Sequence, residues 1–475
     1  MTTRQRNQLQ KLLGSSLIST HPATLAKYSG DAWYAAALPD MVVMPKTAQH
    51  VQKLVQFCTK NKIPITPRGA GRGYVGGSVP IKGGILLSLH RMKRIREISV
   101  EDSLAIVEPG VITGDLQQAV LKRGLYYPPD PASLKESSIG GNIATNAGGP
   151  RCLKYGVTSH YVLGLQVVLM NGDIAELGGR THKNKVGFRL HELFVGSEGL
   201  LGIITQATLR LIPNPPDRAA LVATFKTAKQ AAGVVSAIQK AGFMPCALEV
   251  ADRFTLQAAR NYTKNTPDGN AFILTEIDGQ KNSVASEIRQ LKQLIGAFKP
   301  ITIRTAKTPK DIEALWNMRR DFSYGLRATG LTKLNEDIAV PRGRLLDLFR
   351  YTEKLQKETG LAVACFGHAG DGNIHVNIMV KPEEAMAPTT QKALDKLFQQ
   401  VVAWNGSITG EHGIGLAKKA WWSIAVSRES DALHKVVKKS VDPDGLLNPG
   451  KFLSPVEALK IDMTPQLPSA AKARA

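Results

Sequence analysis

Cysteine is scarce: four residues in 475 (Cys58, Cys152, Cys246 and Cys365), far apart and without a C-x-x-C pair. That excludes a disulfide scaffold, a zinc ribbon and iron–sulfur ligation, and it fits a reducing compartment. Long apolar runs are also missing; none approaches the roughly eighteen residues of a membrane helix. Aromatic residues make up only 6%, too few for a base-stacking platform. The net charge of +22 is spread along the chain, so it reads as a basic surface that attracts small anions rather than a nucleic-acid footprint. Acidic residues are absent from the first thirty positions. This is a feature of transit peptides, but Leu9, Leu12 and Leu13 keep helical spacing, and a mature N-terminal helix is the expectation. A cytoplasmic protein follows, with peripheral attachment to a membrane and an organellar location left open.

What the chain does contain is glycine in clusters. Gly71-Arg72-Gly73-Tyr74-Val75-Gly76 is a literal G-x-G-x-x-G. In a Rossmann fold such a loop opens a helix whose N-terminus holds a pyrophosphate. Here Gly77 to Gly84 contain three glycines and Pro80, which exclude a helix. A turn between two strands remains, with Arg68 at its start, exposing N–H groups as an anion nest. Ser137–Pro150 is a second small-residue loop, and Gly196–Gly202 a third.

Strands are expected at Met41–Pro45, Ile63–Pro67, Gly84–Leu89, Leu104–Val111, Val162–Met170 and Ile203–Pro213, with a helix over Ala48–Lys60. The break Pro213–Asp217 is followed by strand–helix units typical of a second α+β layer.

Taken together, PRGAGRGYVGG, PPDPASLKESSIGGNIATNAGG, FVGSEGLLGIIT, GHAGDGNIH, GEHGIG and DPDGLLNPGKF resemble the FAD-linked oxidases of the vanillyl-alcohol-oxidase type, most closely their D-2-hydroxy-acid dehydrogenase branch. The resemblance covers roughly residues 8–455. It implies an α+β architecture: a two-subdomain PCMH-type FAD-binding domain, a ferredoxin-like antiparallel-sheet cap, and a C-terminal segment returning to the FAD domain. The corresponding bounds are an N-terminal helical segment 1–34, the FAD domain 35–213, the cap 214–403, the returning segment 404–455 and a flexible tail 456–475. FAD contacts carried over by position are Pro67, Arg68, Gly69, Gly71, Gly73, Gly76, Gly77 and Ser78 for the pyrophosphate. Pro131, Ser137, Gly141, Asn142, Thr145 and Asn146 would line flavin and phosphates, with Glu198, Gly202, Ile204 and Asn448 against the nucleotide. Arg72 stands where the family has a small hydroxyl residue; it either meets a phosphate or turns outward.

In Gly367–Asn377, Asp371-Gly372 reads as a two-residue hairpin turn. That register sets His368 directly opposite His375, with Asn377 on the same face. Two imidazoles so placed are either satisfied structural residues or ligands sharing one divalent ion. Glu411, flanked by glycines in Gly410–Gly415, is the third ligand candidate. A His₂Glu set with an open position suits zinc, with manganese or iron also compatible. The resemblance implies the same three ligands and His412 as the base. It also points to Arg319, at the family's W-x-x-R position and beside Arg320, and to Lys333 as cations for a substrate carboxylate. The implied activity is oxidation of a D-2-hydroxy acid, glycolate or D-lactate foremost, to the 2-oxo acid. An electron-accepting protein, quinone or cytochrome is needed, since no centre beyond the flavin is encoded; iron–sulfur partner subunits would serve.

Overall fold

A computed structural model describes residues 1–454; the tail expected at 456–475 lies outside them. The first half builds two sheets. In one, strands Met41–Val43, Ile85–Ser88 and Ile65–Arg68 run parallel, and Ile18–Ser19 adds antiparallel at the edge. Helix Ala48–Asn61 makes the crossover. Thr47 caps it by accepting the His50 N–H at 3.2 Å, and Val51, Leu54, Val55 and Cys58 form its buried face. Leu9 and Leu13 of helix Thr3–Leu13 enter the same core. The N-terminal segment is thereby part of this sheet's core.

The second sheet is antiparallel, in the order Ile95–Ser99, Leu104–Val107, Ile203–Arg210, Val162–Val168, Ile174–Gly178. The first glycine-rich segment joins Ile65–Arg68 to Ile85–Ser88 within the parallel sheet, and the second precedes strand Val162–Val168. No helix follows Gly71–Gly76, and the chain stays irregular until Ile85. The second segment departs from expectation: Ser137–Pro150 is not an open loop but contains helix Ile139–Thr145. Glycine costs a helix about 1 kcal/mol. Full burial of Ile139 and Ile143 in the core outweighs that, and Ser138 caps the helix by accepting the Gly141 N–H.

The cap is a seven-stranded, wholly antiparallel sheet. Helices cover both faces, so strands such as Ala271–Gly279 are buried almost throughout and read as continuous apolar runs. The cap is tied to the first half by buried ion pairs. Arg151 binds both oxygens of Glu276 at 3.0 and 3.1 Å, while Lys154 and Tyr155 reach Asp278 at 2.5 and 2.7 Å. The C-terminal segment does return to the first sheet. Leu447 bridges Ile65, and the Asn448 N–H donates to the Ile65 carbonyl at 2.7 Å.

Candidate functional site

The hairpin Ala362–His368/Asn373–Val380 carries the two histidines, in a register different from the expected one. His368 pairs with Asn373 and Phe366 with His375. The turn spans four residues, Ala369–Gly372, closed by the Gly372 N–H on the His368 carbonyl at 3.1 Å. The Gly372 carbonyl accepts the N–H of Val340, the residue just past the neighbouring strand Thr332–Ala339, at 3.0 Å. His368 and His375 are thus diagonal rather than directly opposed. They still share a face, with ring centroids 5.7 Å apart. Asn377 follows on that face by the two-residue period; its amide donates to Ala364 and His375 carbonyls, and its Oδ1 is buried without a partner.

Over this face lies the loop Gly410–Gly415, gripped from two sides. Asp337, opposite His375 in the next strand, accepts the N–H groups of Gly410, Glu411 and His412 and the Thr409 hydroxyl on one oxygen, each at 2.9 Å. Its other oxygen accepts from Asn373 at 2.6 Å. Burial alone would raise the Asp337 carboxyl, but His412, Lys418, His375 and the loop's N–H groups hold it well below the usual carboxylate range. From the first domain, Glu198 accepts the Ile414 and Gly415 N–H groups at 2.7 and 2.8 Å. This contact explains the flanking glycine at 413: it adopts φ 88°, and a Cβ there would sit 2.7 Å from Glu198 Oε1.

The grip aims two side chains at the histidines. Glu411 Oε1 lies 3.5 Å from His375 Nε2 and 3.6 Å from His412 Nε2, and Oε2 lies 4.0 Å from His368 Nε2. One ligand atom from each of His368, His375 and Glu411 falls within 4.8 Å of the others. His368 Nδ1 is engaged by Glu249 at 2.6 Å, which leaves Nε2 facing the cluster, the arrangement by which an outer carboxylate orients a ligating imidazole. His412 stacks on His375 at 5.5 Å and meets Tyr74 of the glycine-rich loop at 5.2 Å. Burial lowers His412 to about 4, although Asp337 pulls the other way. Burial also raises Glu411 to about 7.

Two cations border the cluster. Arg319 is buried, bonds Glu249 at 2.7 Å and stacks on Phe366 at 4.6 Å. Arg320 turns to solvent and pairs with Glu313, which separates the two adjacent arginines. Lys333 is half-buried and donates to Ser323 at 3.1 Å; desolvation of its ammonium, then Arg327 and Arg319, bring it down to about 7. Glu249 and Asp337 were not singled out from sequence. Their signal was a lone acid in the apolar strand Ala247–Ala251 and an acid inside Thr332–Ala339, since buried charge demands a partner.

The glycine-rich loop approaches from the other side. Its carbonyls are taken by the protein: Gly73 by Ala32, Val75 by Leu416 and Ala417, and Gly77 by Asn448. Among the described residues, no hydrogen bond is made by the N–H groups of Gly71–Gly77. These groups suit an anion such as a pyrophosphate. Gly69 permits close approach to the second segment, because a Cβ there would lie 2.5 Å from Ser138 Oγ. Gly76, at φ 72°, sits against Trp33. Arg68 bonds the Gly30 carbonyl, lies 3.4 Å from Ser78 Oγ and stands over Tyr28. Arg72 turns outward to Glu136 at 3.0 Å.

Several other expected contacts are directed into the protein. Ser137 and Asn142 bond the buried Thr113 hydroxyl. Thr145 bonds the Gly141 carbonyl, Asn146 accepts from the Ser159 N–H, and the Pro131 carbonyl accepts from Leu134. Gly202 abuts Val167 and Phe194, and Ile204 is a core residue. Asn448 ties Gly77 to Glu198 through its amide, while its Oδ1 is buried without a partner.

A parallel sheet with a helix-free glycine nest, an antiparallel partner sheet and a large antiparallel cap define a flavin-binding α+β fold. Residues 39–178 match the family described as FAD binding domain, and residues 214–452 match FAD linked oxidases, C-terminal domain. The chain belongs to the FAD-linked oxidase family and is an FAD-dependent oxidoreductase. It is 36% identical over 459 residues to glycolate oxidase subunit GlcD of Bacillus subtilis, covering 96% of this chain and 97% of that one. It is 34% identical to a D-lactate dehydrogenase of Anaerostipes hadrus, over 89% and 91% of the two chains. Among solved structures, p-cresol methylhydroxylase aligns with a TM-score of 0.78 at 19% identity, over 95% of this chain and 98% of that one. An alkyldihydroxyacetonephosphate synthase aligns at 0.75 and 18%, over 95% and 86%. Both show the fold alone.

Proposed function

We propose that the protein is an FAD-dependent dehydrogenase of D-2-hydroxy acids, glycolate or D-lactate, producing the 2-oxo acid. The observation that carries this reading is the convergence of His368, His375, Glu411 and His412 on one face, bordered by the buried Arg319 and the half-buried Lys333. The loop Pro67–Ser78 with Asn448 would hold FAD, whose pyrophosphate suits the unengaged N–H groups of Gly71–Gly77. When bound, FAD supplies the acceptor for a hydride. His368, His375 and Glu411 would hold a divalent ion, zinc by donor type, which would supply Lewis-acid polarisation of the substrate hydroxyl.

The chain's own residues divide the remaining work. Arg319 and Lys333 bind and orient the carboxylate. His412 takes the hydroxyl proton at Nε2, while its Nδ1 faces Asp337 at 3.8 Å. Asn377 sits behind His375 and donates to its carbonyl. The four cysteines are separate free thiols, so electrons leave the flavin to an acceptor outside the chain: oxygen, a quinone, a cytochrome or another protein. The GlcD relatives are named as subunits, which favours the second reading that this chain is the flavin subunit of a multi-subunit oxidase.

Anaerobic mixing of the purified yellow protein with a panel of 2-hydroxy acids tests the reading. Glycolate or D-lactate should bleach the flavin, and a chelator should slow the bleaching until zinc is restored. Bleaching by no member of the panel would overturn it.

A pH profile follows from Lys333. Its side chain is lowered to about 7, so the ammonium that meets a carboxylate is present below that pH and is lost above it. kcat/KM should fall by about tenfold per pH unit above roughly pH 7. In Lys333→Arg the guanidinium stays charged, and this alkaline limb should disappear. An unchanged limb in that variant would remove Lys333 from the binding role.

A further inference from the structure

Residues 181–190, THKNKVGFRL, are all exposed and contain no acid. They follow the edge strand Ile174–Gly178 of the five-stranded sheet and run into helix Leu190–Phe194. Val186 and Phe188 are 91% and 90% exposed, more than any other large apolar side chain among the described residues. Leu190 and Leu193 continue the apolar exposure. Lys183 and Lys185 interleave with them, and Arg189 pairs with Glu192 at 2.9 Å at the start of the helix.

The segment has a defined shape. The Val186 N–H donates to Asn184 Oδ1 at 2.9 Å, and the Leu190 N–H to the Phe188 carbonyl. Gly187 turns between the two apolar residues at φ 73°. At the base, Arg180 is fixed by Glu97 and Asp102 at 2.7 and 2.6 Å, and the His182 ring is 3.2 Å from the Asp102 carbonyl. Phe188 and Val186 therefore stand out at a tip, ringed by cations, on a chain whose net charge is +22.

A bilayer surface and a protein surface ask for different things. A standard protein interface needs about 800 Å² per partner and depletes charge at its centre. Here the apolar side chains are few, protrude from one loop and alternate with lysine and arginine. That composition matches an interfacial anchor, in which apolar tips enter the acyl boundary while cations meet lipid phosphates. We propose that Thr181–Leu190 is a docking loop that seats Val186 and Phe188 in the surface of an anionic phospholipid bilayer. This does not depend on which acid the enzyme oxidises.

The test is cosedimentation of the full-length flavoprotein with vesicles of phosphatidylcholine alone and of phosphatidylcholine mixed with phosphatidylglycerol. Wild type should pellet with the mixed vesicles, and pellet less as salt rises. The double variant Val186→Ser/Phe188→Ser and the charge variant Lys183→Glu/Lys185→Glu should each bind about tenfold more weakly. Their flavin absorbance and melting should stay as in wild type, since none of these side chains is buried. Wild type that stays in solution with mixed vesicles would overturn the proposal. So would variants that pellet as wild type does, or loss of binding that appears only with loss of flavin.

Discussion

Replacing His412 by Ala should abolish substrate-driven bleaching of the flavin, with a loss of about 10²- to 10⁴-fold in rate, while FAD stays bound. That range is what a positioned general base contributes. Three features support the proposed role of His412 as the base. Its Nε2 reaches Glu411 at 3.6 Å, but the set whose ligand atoms all lie within 4.8 Å of one another is His368, His375 and Glu411. Burial lowers it to about 4, so the neutral, proton-accepting ring is present at physiological pH. Its orientation is set by the backbone, since its own N–H and those of Gly410 and Glu411 converge on Asp337. Stopped-flow absorbance with substrate, followed by dithionite, separates the outcomes. Dithionite should still bleach the variant; bleaching by substrate at the wild-type rate would dismiss the assignment.

Asp337→Ala should be among the most damaging single substitutions in the cap. The carboxylate gathers four donors from residues 409–412 and a fifth from Asn373. Removing one partner of a buried charge network costs about 3–5 kcal/mol, and here the loop carrying Glu411 and His412 loses its anchor as well. Asp337→Asn keeps the shape and one acceptor oxygen, so it should recover part of the stability. The pH dependence has a definite sign. A carboxyl depressed well below its usual range in the folded state stabilises above its unfolded value of about 3.9 and stops doing so as pH falls through the folded value. The melting deficit of the variant should therefore be constant from about pH 5 upward and shrink only in strong acid. A native melting curve for Asp337→Ala would show that the loop is held by Glu198 and packing alone.

How much of this was legible beforehand depended on the range of the signal. Helix Ala48–Asn61, the strand at Ile65–Arg68 and the helix-free run after Gly76 are set by neighbours a few positions apart. Apolar spacing, a threonine cap and an interior proline speak through local sterics and hydrogen bonds. The glycines around Glu411 and His412 announced a crowded backbone, and the crowding partners turned out to be Glu198 and Val75. The set His368, His375, Glu411 and His412 was likewise readable, because two short motifs carry all four.

Register and partnership were not. The Asp-Gly pair promised a two-residue turn, but Gly372, bonded to Val340 just past another strand, belongs to a four-residue one, and the histidines are diagonal. The glycine pair in Ile139–Thr145 argued against a helix that burial of two isoleucines secures. Glu249 meets His368 across 119 positions and Asp337 meets His412 across 75; no local pattern encodes which acid finds which base. The chain alone determined the family of fold, the helix-free glycine nest and the residue types of the site. Only tertiary structure decided the hairpin register, the choice of Arg319 over Arg320, the outward turn of Arg72 and the carboxylates that hold the site. Those outcomes depend on what is buried against what, and burial is settled by the whole fold at once.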